Sequence, residues 1–191
     1  MMEHSMIRQL CKDDASELVR VIESNPKIQV HSDSEHRRWF VHDYLVPHLA
    51  EKDRVLTLGY FDNGYLRAFV ETRRWTDNDR HVTLGTTSVD QTVYHASARG
   101  SRWPQAIIAL VNAVVGIHRG LGRDIVWTTR PDDPRWVPLT SAPDCVLRGY
   151  QSEVAYKAKA NELYPPEFSQ VSIRMPSDQL VIKMVPRGEL L

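Results

Sequence analysis

The sequence predicts a mixed α/β (α+β) fold, a mixed central sheet with helices on both faces. Three observations carry that expectation. Apolar residues recur with helical or strand period in the order β-α-α-β-β-β-α-β-(α)-β-β. The stretch 54–89 reads as a meander of three antiparallel strands. Beyond it, a helix apolar on more than one stripe leads into a short buried strand, and such a crossover asks for a parallel partner.

Met6 to Cys11 reads as the first strand. Asp13 or Asp14 can cap the helix that follows, because a short acceptor there satisfies free amide donors. Ala15, Leu18, Val19 and Ile22 form its apolar stripe, and Asn25-Pro26 ends it. A second helix fits Ser34 to Leu49, with Trp39, Phe40, Tyr44 and Leu45 as its buried material. His36, His42 and His48 stand six apart, which is not one helix face. No fixed acidic partner is apparent, so they read as surface or packing residues and no metal site is expected.

The period then changes. Arg54 to Phe61 is strand-like, Asp62-Asn63-Gly64 supplies a tight hairpin turn, and Tyr65 to Arg73 returns with Leu66, Ala68 and Val70 on one face. Asp77-Asn78-Asp79 turns the chain again into His81 to Val89. Gln91 to Trp103 is polar and holds Ala98-Arg99-Gly100-Ser101-Arg102. Pro104 suits a helix start, since its missing donor is not needed there. Ile107, Ile108, Leu110, Val111, Val114 and Val115 make the central buried helix, and Gly116, Gly120 and Gly122 loosen its end. Asp124 to Thr129 is the buried, parallel strand, with Trp127 in the core. Arg130 to Pro143, with its prolines, reads as loop or broken helix. Glu153 to Lys157 alternates as a strand, and Val171 to Met175 with Leu180 to Val185 reads as a last hairpin. One domain over residues 6–186 is expected, with residues 1–5 and 187–191 as flexible termini.

Composition bounds the function. Lys+Arg and Asp+Glu number 24 each, so the chain has no net charge with which to grip nucleic acid or an anionic membrane. Cys11 and Cys145 are too few for a disulfide framework or a four-thiolate zinc site. No apolar run approaches the roughly 20 residues of a membrane span, and MMEHSM lacks the apolar centre of a signal peptide. A soluble, cytoplasmic protein is the expectation. Cys145, beside Val146 and Leu147, reads as a buried small hydrophobe.

The Ile7-Arg8 strand followed by Asp13-Asp14 and Leu18, the Asp62-Asn63-Gly64 hairpin, the strand ending near Val89, the Arg-Gly loop before a buried helix, and Gly149-Tyr150 come in a telling order. From Ile7 to about Val185 the chain resembles the GNAT superfamily of acyl-CoA-dependent N-acyltransferases. The resemblance implies acetyl-CoA as cofactor and an amine, on a small molecule or a peptide, as acceptor. It implies that Arg99, Gly100, Ser101, Arg102 and Trp103, running into a helix N-terminus, cradle the pyrophosphate. It also implies that the backbone at Ser88 and Val89 pairs with the pantetheine arm. Arg99 and Gly100 match the start of the family loop. Arg102 and Pro104 stand where that loop has glycines, and Trp136 and Leu139 lie where the family tyrosine is expected.

The reaction calls for a base to neutralise the amine and an acid for the departing thiolate. Glu71, at the open mouth of such a fold, is the candidate base, directly or through water, or else a paired surface glutamate. His81, Asp90 and His95 compete with it. Tyr150 is the candidate acid, with Tyr156 beside it, or both are packed rings. A second reading stays open: a catalytically inactive GNAT-like domain acting as a protein-binding or structural subunit of a larger assembly, such as a virus particle. A homodimer is compatible with either. A nucleic-acid module would need Arg73, Arg74 and Arg80 to converge with Arg99 and Arg102.

Overall fold

The computed structural model describes residues 5–24, 40–51, 54–74, 81–89, 105–129, 142–163 and 178–188. The chain divides into two compact units: residues 1–71 with 86–110, and residues 72–85 with 111–191.

The first unit begins with β1 (Ser5–Gln9), one residue earlier than expected, antiparallel to β2 (Val55–Asp62) with Ser5 opposite Asp62 and Gln9 opposite Leu58. The strand order here is β1-β2-β3, with β3 spanning Tyr65–Arg73. Asn63 (φ 50°) and Gly64 (φ 83°) make the β2–β3 turn, both left-handed as a tight hairpin requires. A 3-10 turn, Lys12–Asp14, leads into α1 (Ala15–Ser24). The residue flanking that turn is Cys11, not an aspartate. Asp14 works in the opposite sense to the expected cap, reaching back to accept from the Cys11 amide at 2.9 Å.

The second helix, α2, is described as a π-helical stretch Phe40–Leu45 running into α-helical Val46–His48. Its cause is local. Pro47 has no amide to give and its ring crowds the carbonyl four residues back, so a regular ladder cannot run through this segment. The expected start at Ser34 lies outside the described residues. Leu10, Leu18, Val21, Ile22, Val41, Leu45, Leu49, Phe61, Leu66 and Phe69 form one buried cluster. Glu17 fastens α1 to β3: its carboxylate accepts the Leu66 amide at 3.1 Å, while Arg20 bonds both Glu17 and the Leu66 carbonyl.

In the second unit the strand order is β4-β5-β7-β6, with β4 His81–Val89, β5 Asp124–Thr129, β6 Tyr150–Ala158 and β7 Gln179–Pro186. β5 is parallel to β4, as the crossover demanded, over the pairs His81–Asp124 to Thr83–Val126. β7 is antiparallel to β5 on one edge and to β6 on the other. The expected partner of β7 in a last hairpin, Val171–Met175, lies outside the described residues. β6 is longer than the Glu153–Lys157 alternation, and a bulge between Val154 and Tyr156 shifts its register.

α3 (Gln105–Gly120) connects β4 to β5. Ala106, Ile107, Ile108, Leu110, Val111, Val114 and Val115 are all buried, in keeping with apolar residues on more than one stripe. It ends in a Schellman motif: the Arg123 amide bonds the His118 carbonyl at 2.9 Å and the Gly122 amide bonds Arg119 at 2.9 Å. Gly122 takes the left-handed position, φ 68°. A 3-10 turn, Val146–Gly149, precedes β6. Asn112 on α3 holds that turn, donating to the Asp144 carbonyl at 2.8 Å and accepting from the Val146 amide at 2.7 Å.

Candidate functional site

β3 is buried along most of its length, from Ala68 to Thr72, on both of its pleat faces. Glu71 is among these residues at 2% exposure, so it is not the surface glutamate that the sequence left open. A carboxylate out of water needs a partner. Glu71 has one in α2: its Oε2 lies 3.2 Å from Nδ1 of His48, which is itself 8% exposed. His48 Nε2 faces a second carboxylate, Glu51 Oε1, at 4.0 Å, and the Glu51 side chain is half exposed. The imidazole thus stands between a buried acid and one at the rim.

The sequence reading gave His48 no acidic partner, and this is the residue it missed. A signal was present. Val41, Leu45, His48 and Leu49 recur at helical spacing, and Val41, Leu45 and Leu49 belong to the buried cluster. A histidine on such a face must find a polar partner. His42, by contrast, is exposed as expected, and His36 lies outside the described residues. Among the described residues no group of three histidines, cysteines or acids could hold a metal.

The next residue of β3, Thr72, meets a different histidine within the second unit. Its hydroxyl lies 2.9 Å from Nε2 of His118 in α3, and Nδ1 of His118 lies 3.5 Å from Arg123 Nη1. An arginine donates only, so that contact leaves the proton on Nε2, directed at Thr72.

Tyr150 opens β6 and is 7% exposed. Its carbonyl accepts from Arg187 Nε at 3.2 Å, and the Arg187 amide bonds the Gly149 carbonyl at 2.8 Å, so residue 187 belongs to the folded structure. Tyr156 packs against Val126 and Val181. Cys145 is buried, and that burial pushes its thiol pKa up.

Ser88 and Val89 are the last two residues of β4. Its parallel ladder with β5 is three residue pairs long, after which Trp127 to Thr129 remain bonded to β7. Arg99, Gly100, Ser101, Arg102 and Trp103 lie outside the described residues, as do Asp90, His95, Trp75 and Trp136. α3 begins at Gln105, an exposed residue, and the first-turn amides of a helix have no intrahelical acceptor. A helix start of this kind fits an anionic group.

No family model matches the sequence, and no curated protein matches it by sequence. Solved structures do. The chain is similar to the PaiA N-acetyltransferase of Thermoplasma acidophilum in complex with coenzyme A, at 13% identity and a TM-score of 0.58, covering 94% of this chain and 97% of that one. It is similar to the ribosomal-protein-S5-alanine acetyltransferase of Vibrio fischeri, at 13% identity and TM-score 0.61, over 98% and 96%. The ribosomal-protein-S18-alanine N-acetyltransferase of Escherichia coli gives 16% and 0.56, over 98% of both chains. The fold is GNAT-like. In GNAT terms β4 and β5 are the two central parallel strands, and α3 is the helix after the Arg-Gly loop. No described helix is long and apolar enough to cross a membrane.

Proposed function

We propose that residues 6–186 act as one N-acyltransferase domain that moves an acetyl group from acetyl-CoA to an amine on a small molecule or a peptide. The observation carrying this reading is a GNAT-like fold matched over 94% of the chain by a structure that holds coenzyme A. The thioester supplies an activated carbonyl. The amine nitrogen forms a bond to the acetyl carbon as the carbon–sulfur bond breaks, the ammonium proton passes to a base, and the thiolate takes a proton.

Each residue has a task in this reading. The exposed start of α3, with Arg99, Gly100, Ser101, Arg102 and Trp103 before it, holds the pyrophosphate by backbone donors and two guanidinium groups. The backbone of Ser88 and Val89 pairs with the pantetheine amides. Glu71 supplies basicity, and Tyr150 returns the proton to the thiolate. Placement in the cytoplasm, where acetyl-CoA is made, is part of the same reading.

Isothermal titration of acetyl-CoA and of free CoA tests it. Micromolar binding that is lost in Arg99→Ala/Arg102→Ala is the expected result, followed by thiol release on adding a panel of amines. No heat and no thermal stabilisation at millimolar ligand overturn the reading.

A further inference from the structure

We propose that the outer edge of β1 is a pairing surface for a second copy of this chain, the two β1 strands lying antiparallel about a two-fold axis at Ile7. The inference belongs to the first unit alone and stands apart from the acyltransferase reading.

The direction of the backbone groups comes first. β1 pairs with β2 in an unbroken register, from Ser5 opposite Asp62 to Gln9 opposite Leu58. One residue on, the Leu10 amide bonds the Thr57 carbonyl at 2.8 Å. Backbone groups alternate sides along a strand, so Leu10, Arg8 and Met6 turn theirs toward β2, while Ser5, Ile7 and Gln9 turn theirs away. The Cys11 amide keeps the alternation, pointing away from β2 to Asp14 at 2.9 Å. β1 ends the strand order on this side. Of these outward groups, only the Gln9 carbonyl has a partner among the described residues, Arg8 Nη1 at 3.1 Å, and a carbonyl has room for a second donor.

An edge built this way matches itself. With Ile7 opposite the partner's Ile7, Ser5 falls opposite the partner's Gln9, and outward groups meet outward groups in up to about six backbone hydrogen bonds. The side chains suit the same register. Met6 and Arg8 share one face, where a cleft of about 400 Å³ is lined by Ser5, Met6, Arg8, Phe61 and Gly64. Met6 is 52% exposed beside that cleft, and the Arg8 guanidinium lies 4.1 Å over the Phe61 ring. The two-fold sets the partner's Met6 opposite Arg8, so each exposed methionine covers the other copy's cleft. The Arg8 charge is answered by Asp14 at 2.6 Å, so joining two copies brings no bare like charges together. The edge of the second unit is guarded: β6 has its register broken by a bulge, and Glu153 and Lys157 are exposed on it. β1 has neither device. Its five residues make the dimer weak and dependent on concentration.

Sedimentation velocity from about 10 μM to about 1 mM tests this, with a Kd of about 0.1–1 mM expected. Met6→Lys sets a second cation opposite the partner's Arg8, twice per dimer, and should weaken association about 2- to 30-fold. Met6→Glu should tighten it by a similar factor. Ile7→Pro removes an outward amide and no bond to β2, so it should abolish the dimer while the urea midpoint reports whether the fold survives. If Ile7→Pro does not fold, the two variants at the exposed Met6 decide. A protein that stays monomeric at about 1 mM overturns the proposal. So does a dimer that responds alike to Met6→Lys and Met6→Glu, because the copies then meet through another surface.

Discussion

Replacing Asp14 with asparagine should expose an acid-sensitive joint in the first unit. The Asp14 carboxylate receives both terminal nitrogens of Arg8, at 2.7 and 2.6 Å, and the Cys11 amide at 2.9 Å. The Arg8 hydrogen bonds are the main cause that brings its pKa down from 3.8 to about 2, with the Cys11 amide adding to them against the cost of burial. A depression of that size corresponds to about 2.4 kcal/mol at roughly 1.4 kcal/mol per unit. The Arg8 side chain is 38% exposed, so water and salt weaken the pair, and about 1–2 kcal/mol is the net expectation. The sign follows from a lowered acid. The stabilisation is whole above the unfolded pKa, near 4, and is lost as the pH falls through about 2; roughly half has gone by pH 3. Urea unfolding of wild type and Asp14→Asn near pH 7, pH 4 and pH 3 measures this. The gap between them should be about 1–2 kcal/mol near neutrality and close to half that at about pH 3. A gap that does not change with pH would refute the ion pair as its source.

Other substitutions probe the packing. A methyl at residue 59 would stand 2.5 Å from Leu10 Cδ2 and 2.7 Å from Leu66 Cδ1; both side chains are buried, so Gly59→Ala should cost about 1–3 kcal/mol by overpacking, read as a lower urea midpoint. Asn112→Ala removes a donor and an acceptor from the turn before β6 and should cost about 1–2 kcal/mol. Asn112→Asp keeps the bond from the Val146 amide but sets a carboxylate against the Asp144 carbonyl, so chemical unfolding should rank it below wild type. In a thiol-labelling time course near pH 8, Cys11, which is partly exposed, should react ahead of Cys145, whose thiol is buried with a raised pKa. Equal rates would contradict that burial.

Where the causes of structure are local, the sequence displayed them. Asn63-Gly64 has no better use than a left-handed turn, and the apolar surface of α3 could only be a buried helix. Glu71 was legible as a candidate but not as a buried one. Alternation reports burial only when one face of a strand is wet, and β3 from Ala68 to Thr72 is covered on both. Its partner His48 comes from a distant helix; the helical spacing of Val41, Leu45, His48 and Leu49 marks a buried histidine but not which acid it meets. The same limit holds for β7, whose pairing with β5 is made by tertiary packing and not by any turn. At the first helix, both aspartates looked like caps, and only the reach of Arg8 decides which one turns back.

The position of β7 bears on how the protein is made. A ribosome delivers β5 and β6 well before β7, yet β7 lies between them. Until residues 179–186 emerge, each of those strands presents a row of unanswered amides and carbonyls, the kind of surface that recruits other chains. Synthesis that stalls in the last stretch should therefore yield sticky, protease-sensitive fragments, not a slightly shortened native protein.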